Sequence, residues 1–141
     1  MGGRSEGFVE FDGDAMVFFG EINTDGGGFS SVRLALPESW GSATELLVRA
    51  RSDGRDYQIQ ANDSLNGRNL RVTHFGPIPL VGADEWEEVR VDLEDLDPRF
   101  FGRRVEAEAF RPDLAILVGF ILADGSDGPF RIEIDQLEAC R

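Results

Sequence analysis

Along most of this chain apolar and polar residues alternate in short runs, and each run stops at a cluster of Gly, Asp, Asn or Pro. Period two marks strands with one face on a core, because successive side chains leave a strand on opposite sides. Asp56–Ala61 is the plainest case, with Tyr57, Ile59 and Ala61 on one side. Leu70–Phe75 repeats the pattern and is ended by Pro77 and Pro79, and Phe130–Asp135 is the last alternating strand. Trp86–Leu93 sets Val89, Val91 and Leu93 against Arg90 and Asp92. Phe8–Phe11, Ala15–Ile22 and Glu45–Ala50 read as further strands, with Met16 and Phe18 opposite Val17 and Phe19 in the second. So does Phe29–Leu36, which places Phe29 in the core and Arg33 at mid-strand. Leu114–Ala123 is almost wholly apolar, as a central strand covered on both faces would be.

The intervening turns are Asp12–Asp14, Asn23–Gly28 with its three consecutive glycines, Ser52–Gly54, Asp63–Gly67 and Asp124–Pro129. Pro37–Ala43, which holds Trp40, predicts an irregular crossing. Asp95–Pro112 follows neither period, which predicts a long structured loop with one helical turn near Val105–Phe110. About nine or ten short strands with almost no helical periodicity argue for an all-β fold, an antiparallel β-sandwich, with a closed barrel as the second architecture. No internal repeat or linker divides residues 1–141, so a single domain is expected.

Composition narrows the function classes. With 41% apolar residues and eleven Phe in 141 residues, the chain can bury a core of its own. Acidic residues outnumber basic ones 27 to 14, a net charge of −13, and every basic residue is Arg. That field repels phosphate backbones and anionic lipid, so neither nucleic-acid binding nor membrane association is expected. No apolar run approaches a membrane span and no signal-peptide core is present, so a soluble cytosolic protein is the expectation.

Candidate chemistry is sparse. The single thiol, Cys140, sits next to the C-terminus, and the single imidazole, His74, lies inside a predicted strand, where a structural role is expected. Neither a nucleophile–base pair nor a zinc site can be assembled from them, so no catalytic residue, no metal site and no cofactor is predicted. Asp92, Glu94, Asp95 and Asp97 read as solvated loop carboxylates rather than a glycosidase acid and base. Asp124 and Asp127 are oxygen donors of the kind calcium takes, without the spacing of an EF-hand. The glycines at 26–28 lack the Lys and the following helix of a phosphate loop.

Several blocks taken together carry a family resemblance over nearly the whole chain. Met1-Gly2-Gly3-Arg4-Ser5, Gly27-Gly28-Phe29-Ser30-Ser31-Val32-Arg33, Arg51-Ser52-Asp53-Gly54-Arg55-Asp56-Tyr57 and the closing hairpin from Gly119 to Ile134 with Gly128-Pro129-Phe130 occur in order, with Trp86 and Phe101-Gly102-Arg103 between them. This set resembles the complex I intermediate-associated protein family (the thirty-kilodalton type). The resemblance implies a galactose-binding-like jelly roll and a non-catalytic role in assembling a multi-subunit complex. Ser52 stands where the family usually has Gly. A tryptophan-bearing strand and an Asp normally precede the family's first block, whereas this chain begins at Met1. Either the start lies upstream or that edge strand is dispensed with.

In a jelly roll Arg33, Arg49, Arg51 and Tyr57 are expected on neighbouring strands, with Asp53 and Arg55 at the turn joining two of them and Trp86 near the rim. Arg33 and Asp53 suit a charge-assisted pair. Two readings stay open for these seven residues: a network that fixes strand register, or a binding face on the concave sheet. The face would take a protein loop, as the resemblance implies, or a carbohydrate, as in carbohydrate-binding module family eleven, whose sandwich is similar. Two Trp and one Tyr make a poor sugar platform. An uncovered edge strand would also invite a second copy, and the sequence leaves the oligomeric state open.

Overall fold

The computed structural model describes residues 6–13, 15–26, 28–64, 72–100, 103–106 and 109–140. The opening Met1–Ser5 block, Leu70 and Arg71 of the predicted sixth strand, most of the Asp63–Gly67 turn, and Phe101 and Gly102 lie outside them. The described residues form eleven strands: β1 (Glu6–Asp12), β2 (Ala15–Ile22), β3 (Ser30–Ala35), β4 (Glu45–Ser52), β5 (Tyr57–Asp63), β6 (Thr73–Pro77), β7 (Glu87–Asp92), β8 (Asp97–Phe100), β9 (Arg103–Arg104), β10 (Ala115–Leu122) and β11 (Gly128–Cys140). They pair antiparallel throughout. One sheet runs β1-β2-β11-β4-β7 and the other β3-β10-β5-β6-β8-β9. The fold is therefore an antiparallel jelly-roll sandwich, and two separate sheets replace the alternative of one closed barrel.

Alternation explains the core. From the five-stranded sheet Phe18, Leu46, Val48, Ala50, Ile132 and Ile134 point inward, and from the six-stranded sheet Tyr57, Ile59, Ala61, Val118, Phe120 and Leu122 meet them, all of them buried. Phe130 joins the layers: its ring stands edge-on to Phe18 at 5.0 Å and tilted to Tyr57 at 6.5 Å.

The structure corrects several sequence expectations. Phe29 is only half-buried and precedes β3, whose first residue Ser30 takes the buried position. The last strand extends beyond Asp135 to Cys140, because a bulge between Ile134 and Gln136 shifts the alternation by one residue. The Asp95–Pro112 segment contains two short strands, β8 and β9, and the helical turn falls at Pro112–Leu114. Residues 107 and 108 of the turn expected near Val105–Phe110 lie outside the described residues. β6 does end at Pro77, as the sequence predicts.

Candidate binding face

On β4 the inward positions are Leu46, Val48, Ala50 and Ser52, which leaves Leu47, Arg49 and Arg51 on the outer face of the five-stranded sheet. Trp86 lies one residue before β7, the strand paired to β4 through Arg49–Glu88 and Ala50–Glu87. Its indole is flanked by both guanidinium groups, Arg49 at 4.8 Å and Arg51 at 5.3 Å from the ring centroid. The two arginines are fixed from the other side by β11. Arg49 is ion-paired to Asp135, the residue at the bulge, and Arg51 Nε donates to Glu133 Oε2 at 2.8 Å. Arg131 Nη2 reaches the same Glu133 carboxylate at 2.6 Å. These contacts, first the hydrogen bond from Arg131 and then that from Arg51, hold the Glu133 carboxyl below its usual range against the cost of its burial. At the rim Asp84 is exposed, takes a positive φ of 56°, and lies 4.0 Å from Arg51.

Asp53, Arg55 and Tyr57 do different work. Asp53 accepts from the Tyr57 hydroxyl at 3.0 Å, from the Arg55 amide at 3.1 Å and from the Arg131 amide at 2.9 Å. Tyr57 is buried in the sandwich, and that burial, with the Asp53 charge beside it, pushes its phenol well above the usual range. Arg55 clamps the turn before β11: it pairs with Asp124 through Nε at 2.9 Å and Nη2 at 2.7 Å and donates to the carbonyls of Ser126, Gly128 and Pro129. The Arg55 hydrogen bond holds the Asp124 carboxyl below its usual range. Gly54, at φ 89°, completes the turn and faces Gly82, at φ 80°.

The expected pairing of Arg33 with Asp53 is not made. Strands β3 and β4 are consecutive in the chain but enter different sheets, so Arg33 is exposed on the six-stranded sheet opposite Gly119. The seven predicted residues are thus divided: Arg49, Arg51 and Trp86 share one outer face, Asp53, Arg55 and Tyr57 form the turn network, and Arg33 stands on the other sheet. Residues that complete the first group, Glu133, Asp135 and Arg131, were not singled out in the sequence. Their signal was present, since the charges of Phe130–Asp135 fall on outward positions that match the arginines of β4.

The outer side of β5 consists of amides, Gln58, Gln60 and Asn62. Asn62 donates to Thr73 Oγ1 at 3.0 Å, whereas the Gln60 Nε2, on a residue only 1% exposed, has no hydrogen-bond partner among the described residues. A Cβ at Gly119 would lie 3.0 Å from that nitrogen.

His74 is fully buried on β6 against the Phe110 ring at 5.3 Å, while Cys140 ends β11 in the other sheet. Asp92 accepts from the Glu94 amide at 2.8 Å and caps a short turn, and Glu94 and Asp95 are exposed. Asp124 is engaged by Arg55, and Asp127 accepts from the Thr24 amide at 2.6 Å. Among the described residues no group of three His, Cys, Asp or Glu is placed to hold a metal ion, and no helix is long and apolar enough to cross a membrane.

Residues 1–134 match the family described as "Complex I intermediate-associated protein 30 (CIA30)". A relative in Caenorhabditis elegans named "Probable complex I intermediate-associated protein 30, mitochondrial" is 27% identical over 149 residues, covering 92% of this chain and 44% of its own length. The Mus musculus "Complex I intermediate-associated protein 30, mitochondrial" is 24% identical over 161 residues, with 96% and 48% covered. The chain therefore spans less than half the length of these relatives, and their names place them in mitochondria. Among solved structures it is similar to the family 11 carbohydrate-binding module of the Clostridium thermocellum cellulase Lic26A-Cel5E (TM-score 0.68, 14% identity, 95% of this chain and 82% of that one). A family 11 module from the same organism in complex with a β-1,3-1,4-mixed-linked tetrasaccharide gives a TM-score of 0.66 at 15% identity, with 95% and 84% covered. At these identities the likeness is one of fold.

Proposed function

Because the chain belongs to the complex I intermediate-associated protein 30 family, we propose that it is a non-catalytic module that holds another protein during the assembly of a multi-subunit complex. The observation that supports this reading is Trp86, held between Arg49 and Arg51, whose own positions are set by Glu133 and Asp135. Trp and Arg are the side chains that most often dominate protein interfaces, and fixing them before contact lowers the entropy lost on binding. Seated in a partner's pocket, the indole would supply the apolar contact and the guanidinium groups would direct it. The cytosol is the compartment we propose; the mitochondrial names are those of the relatives.

Affinity capture from the source cell tests this. The wild-type protein should retain a specific partner, Trp86→Ala should lose it with an affinity about thirtyfold weaker, and Arg33→Ala should retain it. Equal recovery by Trp86→Ala, with its fold intact by circular dichroism, would remove this face from the proposal.

A second reading, carbohydrate binding, has one observation in its favour: the Gln58, Gln60 and Asn62 row of amides on the outward side of β5, of which Gln58 is half-buried and Gln60 and Asn62 are only 1% exposed. Mixed-linked β-glucan oligosaccharides are expected to leave the thermal midpoint unchanged, and a reproducible rise of several degrees would favour this second reading.

A further inference from the structure

Strand β1 is the first strand of its sheet, paired to β2 on one side and, among the described residues, to nothing on the other. Six large hydrophobic residues are exposed among the described residues, and three of them fall on this one strand: Phe8 at 51%, Val9 at 38% and Phe11 at 74%. Their placement is ordered by the pleat. Val9 and Phe11 sit opposite Phe18 and Met16, so they carry the core side of the sheet outward past its last paired strand. On the solvent side Phe8 stacks on Phe19 at 5.5 Å, followed by the exposed carboxylates of Glu10 and Asp12. An edge that no described strand pairs, with an apolar inner row and an acidic outer row, is a template for one more strand.

We propose that the β1 edge receives an extended segment of a partner protein in which apolar residues alternate with Lys or Arg. The apolar residues of that segment lie beside Val9 and Phe11, and its cations lie beside Glu10 and Asp12. The nearby Arg131 feels the charges of Glu10 and Asp12, but its side-chain hydrogen bonds go to Glu133. A second copy of this chain is a poor occupant. Antiparallel pairing of two β1 strands sets acidic rows against each other, in molecules that each carry a net charge of −13. The proposal shares with the Trp86 reading only the premise that the protein holds another protein, and it uses a different surface.

The probe is a synthetic peptide of roughly nine residues alternating Val and Lys, the length of an ordinary strand with flanks. Its partner control alternates Val and Glu. The Val–Lys peptide should bind, slow hydrogen exchange of backbone amides in residues 7–12, and weaken at about 0.5 M salt. Phe11→Ser, at a position too exposed to disturb folding, should weaken it about tenfold, and the double variant Glu10→Lys, Asp12→Lys should do so at least as much. Trp86→Ala should bind it like wild type, which separates failure of this proposal from failure of the Trp86 face. Equal binding of the Val–Glu peptide would overturn the proposal. So would β1 amides already protected in the free monomer, or a dimer by light scattering in which those amides are the protected ones.

Discussion

Arg55 directs its whole guanidinium group at one turn, with two bonds to Asp124 and three to backbone carbonyls, and both partners of the ion pair are more than four-fifths buried. Removing the cation leaves Asp124 with only the Ser126 amide at 3.1 Å and the three carbonyls without the Arg55 donor, so Arg55→Ala should lower the unfolding free energy by about 3 kcal/mol in urea titrations. Arg55→Lys should recover only part of it, because an ammonium cannot reproduce the fork. Tyr57→Phe is a milder change. Asp53 keeps two amide donors when the phenol is lost, so a cost of about 1–2 kcal/mol is expected from the same titration. The sequence marked this Asp-Gly-Arg-x-Tyr block through its resemblance, but not its purpose, since Asp124 lies 69 residues away from Arg55. Tyr57 was legible as inward-facing from the alternation of its strand. Its place in a surface constellation was not compatible with that, and burial prevailed.

At the level of elements, period two located most of the strands and failed where the backbone departs from regular pleating. The bulge at Asp135 moves the inward positions from Ile132 and Ile134 to Leu137 and Ala139, which hides the second half of β11 from an alternation rule. The short β8 and β9 carry too few residues to show any period. Sheet membership was equally hidden, and it is what separates Arg33 from Arg49 and Arg51. Close approach of the turns can be tested with two glycines of like conformation. Gly125→Ala, at φ 76° in open space, should cost about 1 kcal/mol from backbone strain alone. Gly82→Ala, at φ 80°, would drive its Cβ into Gly54 and should cost about 3 kcal/mol.

The carboxylates that tie β11 to its neighbours also set an acid limit. Asp124 and Glu133 titrate below their unfolded values of 3.8 and 4.5 in the folded state. Falling pH therefore protonates the unfolded chain first, and the stability they confer is complete above about pH 5 and is lost as pH drops through their folded values. The urea midpoint should be level above about pH 5 and fall steeply below pH 4, and Asp124→Asn should flatten that fall while lowering the midpoint at pH 7.

For the molecule as a whole, a sandwich of this kind offers two outer faces and its strand edges, and fold alone does not choose between them. We propose a protein partner, whereas the solved structures of similar fold include a carbohydrate complex. Here the choice rests on side chains: the Trp86 face combines an aromatic ring with fixed guanidinium groups, whereas two of the three amides in the Gln58–Asn62 row are buried. The measurement that decides is a hydrogen-exchange footprint of the protein with its captured partner. The account predicts slowed exchange in residues 47–51, 84–90 and 131–135. A footprint confined to residues 58–62, 73–77 and 117–121, with the Trp86 face unchanged, would contradict it.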